Sequence, residues 1–126
     1  MRKTVLAGIA VATMFASAGV ASALPPLNLT PHHGASVTDG TWGYVRGPVD
    51  AIKADGNLVV TEPGCFYVKL IQGWAIGTRH SNKQCGPGTV KFHVETGSLS
   101  VSAQASICRD NDDDCGPSVV IGHPVE

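Results

Sequence analysis

The sequence predicts an all-β fold, a small antiparallel β-sandwich or small barrel tied by two disulfides. Three observations predict it. Apolar residues recur with a period of two through much of the chain after residue 40, no helical period persists there, and all four cysteines lie in the same part. Gly- and Pro-bearing turn signals interrupt the alternation at short intervals, the pattern of many short strands.

The chain of 126 residues divides into three segments. Residues 1–23 read as a cleaved secretory signal peptide: a basic start at Arg2-Lys3, an uncharged, mostly apolar run from Val5 to Val20, and a small-x-small end at Ala21-Ser22-Ala23. The apolar run is shorter than the roughly 20 residues of a spanning helix. The expectation is therefore export to the bacterial cell exterior with no membrane insertion. Residues 24–39, with Pro25, Pro26 and Pro31, read as a flexible N-terminal arm. Residues 40–126 read as a single disulfide-stapled β domain.

Within that domain, Phe66, Val68 and Leu70 form one row. Val90, Phe92 and Val94 form a second, alternating with Lys91, His93 and Glu95. Leu99, Val101, Ala103, Ala105 and Ile107 form a third. Further strands are expected over Thr41–Arg46, Val49–Ala54, Leu58–Thr61, Trp74–Thr78 and Ser118–Ile121. Asp55-Gly56 and Thr96-Gly97 read as hairpin tips. About eight short strands of this kind fit an immunoglobulin-like or Greek-key sandwich.

An even number of cysteines in a small exported domain reads as a disulfide framework. Three pairings of Cys65, Cys85, Cys108 and Cys115 are open. Cys85-Gly86-Pro87 and Cys115-Gly116-Pro117 repeat one another, each after a polar loop and before a β-type run. A cysteine that closes the loop behind it gives Cys65–Cys85 and Cys108–Cys115.

Charge excludes some partners. Beyond the leader the chain carries seven Lys and Arg against ten Asp and Glu. The basic residues are scattered, so nothing is built to neutralise a phosphate backbone, and nucleic acid is not an expected partner.

The acidic run Arg109-Asp110-Asn111-Asp112-Asp113-Asp114 is the most unusual feature. Asp110, Asp112 and Asp114 alternate as the first ligands of a calcium loop do, but Cys115 stands where that loop has glycine and Ile121 where it has glutamate. A solvated acidic loop without a cofactor is the expectation, with calcium the alternative. No nucleophile elbow, metalloprotease helix or phosphate loop is present, so the chain reads as no enzyme. Trp74, Arg79 and His80 lie inside the Cys65–Cys85 loop. An aromatic beside Arg and His on a stapled loop is partner-binding chemistry.

Glu62-Pro63-Gly64-Cys65, Leu70-Ile71-Gln72-Gly73-Trp74, Asn82-Lys83-Gln84-Cys85 and Thr89-Val90-Lys91-Phe92 together resemble the proteinaceous α-amylase inhibitors secreted by actinobacteria. The resemblance spans about a third of the chain beyond the leader. It implies a small β-sandwich, a disulfide between Cys65 and Cys85, and inhibition of a hydrolase. The family's inhibitory Trp-Arg-Tyr triplet falls on Trp74, Ala75 and Ile76, so the tryptophan alone is kept, and the family's second disulfide spans a longer segment than Cys108–Cys115. The function expected is a secreted, non-enzymatic binding protein that meets an extracellular protein or glycan. The alternatives are a cell-envelope structural protein or small-molecule carrier, then a small hydrolase or a calcium-binding module.

Overall fold

The structure, a computed structural model, describes residues 24–45, 51–72, 77–97 and 102–122. The leader, expected over residues 1–23, lies outside them. The described residues form strands β1 (Ala35–Val45), β2 (Ala51–Val60), β3 (Cys65–Gln72), β4 (Thr78–His80), β5 (Gln84–Cys85), β6 (Gly88–Glu95), β7 (Ser102–Arg109) and β8 (Val119–Gly122). They build two antiparallel sheets and no closed barrel. One runs β1-β2-β6; the other runs β4-β3-β7-β8, with β5 also paired to β3.

The period-two rows become the core between the sheets. Ile52, Ala54, Leu58 and Val60 of β2 and Phe92 and Val94 of β6 meet Phe66, Val68 and Leu70 of β3 and Ala103, Ala105 and Ile107 of β7. Lys91, His93 and Glu95, the alternate positions of β6, are exposed. Tyr67 is buried as well, so β3 is covered in part on its outer face.

Both disulfides join as the Cys-Gly-Pro repeat implied: Cys65 to Cys85 and Cys108 to Cys115. Each links residues that face one another across paired backbones.

Two expectations are corrected. Asp55-Gly56 is no hairpin tip. It lies inside β2, which runs unbroken from Ala51 to Val60. A Cβ on Gly56 would meet Gly40 Cα at 2.9 Å and the Phe92 ring at 3.0 Å, so glycine here lets an aromatic ring and a neighbouring backbone close in. The second concerns residues 24–39, expected to be a flexible arm. Leu27 and Leu29 are core residues, and β1 already starts at Ala35. The arm lies along β1, with Leu27 N–H donating to Gly40 O (2.9 Å) and Trp42 N–H to Pro25 O (3.1 Å). Gly40 permits that approach, since a Cβ there would stand 2.7 Å from Leu27 O. The prolines block helix but not this extended course, and the leucines between them supply the apolar payload.

Candidate binding face around the acidic hairpin

Residues 109–114 form the tip of the β7–β8 hairpin. Arg109 N–H donates to Asp114 O (2.8 Å), Asp113 N–H to the Asn111 side chain (2.8 Å) and Gly116 N–H to Ile107 O (2.9 Å). Asp110 takes the left-handed conformation (φ 68°), which Asp adopts more readily than most residues. The Cys108–Cys115 bond closes the base of this tip.

Each alternating aspartate has its own partners. Asp110 Oδ1 accepts Cys65 N–H (2.9 Å) and so ties the tip to the first disulfide. Asp112 accepts the Tyr67 hydroxyl and lies 3.0 Å from His80 Nε2. Asp114 Oδ1 meets His32 Nε2 at 2.7 Å and His33 Nε2 at 3.1 Å, while its Oδ2 accepts Arg109 Nε–H at 3.3 Å. The alternation that resembled a calcium loop thus sends three carboxylates to three separate donor sets. Among the described residues, the one group of three or more His, Cys, Asp or Glu with converging ligand atoms is His32, His33 and Asp114.

The electrostatics follow from these contacts. The Tyr67 hydroxyl, then His80, holds Asp112 below the usual carboxylate range. His32 and His33 do the same to Asp114. Burial, then the bond to Asp112, pushes the Tyr67 phenol up.

A compact polar face results. The His80 ring stands edge-on to the Tyr67 ring, with centroids 5.1 Å apart. Lys83 Nζ lies 5.5 Å from the centre of the Tyr67 ring, in cation–π range. His80 and Asp112 are each close to half exposed.

Of the residues expected to touch a partner, His80 joins this face and Arg79 does not. His80 pairs with Lys69, whose side chain shares the outer face of β3 with Tyr67; Arg79 pairs with Leu70, on the core-facing row. Arg79 is exposed at the rim instead, where a Cβ on Gly97 would lie 3.4 Å from its Nη2. Trp74 lies outside the described residues.

A second polar cluster sits on the three-stranded sheet. His93 Nδ1 meets Asp55 Oδ1 at 2.5 Å and its Nε2 meets Glu95 Oε2 at 2.8 Å. Asp55 holds the imidazole above its ordinary range despite partial burial. A cavity of about 420 Å³ adjoins it, lined by Asp39, Asp55, Gly56, Asn57, Lys91, Phe92 and His93. Sequence reasoning missed Tyr67, Lys83 and the His93 cluster. The signal for His93 and Asp55 is cross-strand register, and they are direct partners in the β2–β6 ladder.

No protein-family model, curated protein or solved structure matches this chain.

Proposed function

We propose that this is a secreted, non-enzymatic binding protein that engages an extracellular protein or glycan through the face formed by Tyr67, His80, Lys83 and Asp112. The observation that carries the reading is preorganisation. Tyr67, His80 and Asp112 are hydrogen-bonded to one another between two disulfide-closed loops, with Lys83 beside the Tyr67 ring, so binding costs the bonded three little rotamer freedom. Tyrosine is among the residues enriched at binding hot spots. Two disulfides support an oxidising compartment. Among the described residues no helix is long and apolar enough to cross a membrane.

A hydrolytic dyad is not favoured at His93. A triad histidine is oriented through one ring nitrogen and activates a nucleophile with the other. Both nitrogens of His93 are taken by carboxylates.

The test is binding of the purified exported domain to a glycan array and to a panel of secreted hydrolases, α-amylases included. His80→Ala and Lys83→Ala should each weaken a captured partner about tenfold. Binding that ignores both changes in folded protein refutes the face; silence across both panels refutes the reading.

A further inference from the structure

We propose that His32, His33 and Asp114 form a binding site for a single zinc-class divalent ion, which fastens the N-terminal arm to the acidic hairpin. The three residues arrive from places 81 and 82 positions apart in sequence. Two features of the backbone bring them together. His33 is left-handed (φ 52°), so two successive rings turn toward the same side, their centroids 4.2 Å apart. Gly116 leaves room for His32: a Cβ there would stand 3.0 Å from the histidine Cβ.

The donor set selects the ion. Two imidazole nitrogens and one carboxylate oxygen suit zinc and its neighbours, whereas calcium requires six to eight oxygens. The ligand atoms all lie within 4.8 Å of one another, and the two nitrogen–oxygen separations are 2.7 and 3.1 Å. In a tetrahedral site with bonds of about 2.05 Å, ligand atoms stand about 3.4 Å apart. The two separations therefore need to open by about 0.7 and about 0.3 Å, a shift that side-chain rotation can supply, with water at the fourth position. Each imidazole then carries its proton on Nδ1 and offers the Nε2 lone pair.

The outer contacts suit a carboxylate ligand. Arg109 holds Asp114 through Oδ2 and leaves Oδ1 toward the histidines, the orienting role that second-layer partners play at metal sites. Access is open, since His33 and Asp114 are more than a third exposed. Among the described residues the other histidine clusters lack this convergence. The carboxylates at His93 sit on opposite ring nitrogens, and among the described residues His80 meets one carboxylate, Asp112.

The experiment titrates zinc chloride, and calcium chloride in parallel, into the disulfide-intact exported domain by calorimetry and thermal melting. One zinc per chain is expected, with no response to calcium. A rise in Tm of roughly 10 °C or more is expected at a hundredfold excess over Kd. His33→Ala and Asp114→Asn should each weaken zinc at least about tenfold, the scale reached when even an outer-layer partner is lost. His93→Ala should leave binding unchanged. Far-UV circular dichroism and a free-thiol count establish that each variant is folded, and His33, being exposed, is the variant least tied to folding. Absence of zinc binding to the wild type overturns the proposal, as does binding that survives both substitutions or is lost with His93→Ala. These outcomes leave the partner-binding face untouched, because none of its residues is altered.

Discussion

Severing the Cys65–Cys85 bond should cost about as much as losing a large core side chain. In a Cys65→Ala, Cys85→Ala variant the closed loop has a sequence separation of 20, for which chain-entropy arithmetic gives about 3.3 kcal/mol. The site suits this test because Cys65 is half-buried and Cys85 exposed, so little packing is lost with the sulfurs. For a domain of about 100 residues the cost corresponds to a fall in Tm of roughly 13–26 °C. Urea unfolding read by tryptophan fluorescence and far-UV circular dichroism measures it. The m-value should rise, since the unfolded chain without the link exposes more surface. The native spectrum should persist, because the β3–β4 ladder from Lys69–His80 to Ile71–Thr78 is intact. A loss below about 1 kcal/mol with an unchanged m-value would refute loop entropy as the source of the stabilisation.

Other perturbations are equally specific. Gly64→Ala should cost about 1–3 kcal/mol, because φ is +118° and the new Cβ would stand 2.8 Å from Arg109 Cδ; a thermal melt reads it, and an unchanged Tm contradicts it. His93 gives a pH signature. Its folded pKa is raised by Asp55, so its contribution is complete below the unfolded value of about 6.5 and is lost as pH climbs through the folded value. The stability gap between wild type and His93→Ala should shrink across that rise, and a gap constant with pH would dismiss it. Tyr67→Phe removes the main influence depressing Asp112, so the Asp112 carboxyl should titrate higher by NMR while Asp114 stays in place. The stability that Asp112 supplies is present above the unfolded value of about 3.9 and fades as pH falls through the depressed one.

What the sequence discloses and what it hides divide by the range of the interaction. The rows Phe66-Val68-Leu70 and Ala103-Ala105-Ile107 face the core as alternation requires, because that signal is local and burial rewards it directly. The disulfides were readable from a repeated Cys-Gly-Pro, a local loop-closing device used twice. Gly56 misled because the turn dipeptide and the close-approach glycine look alike until Phe92 and Gly40 are placed around it. The arm misled because prolines outweighed two leucines in the local reading, while the vacancy those leucines fill is a property of the whole sandwich. Every histidine–aspartate contact at the hairpin spans at least 32 residues, so strand pairing had to be known first.

The course of residues 25–27 along β1 has a consequence for self-association. An eleven-residue strand at the margin of a sheet is a template on which another chain can add itself. Here residues 25–27 of the same chain occupy part of that template, and a proline, which cannot donate to a ladder, stands among them at Pro26. Trimming the protein back to Thr30 would uncover the margin and expose two apolar side chains' worth of core in the same stroke. A product shortened in that way should dimerise or form fibres at concentrations where the intact chain stays dispersed.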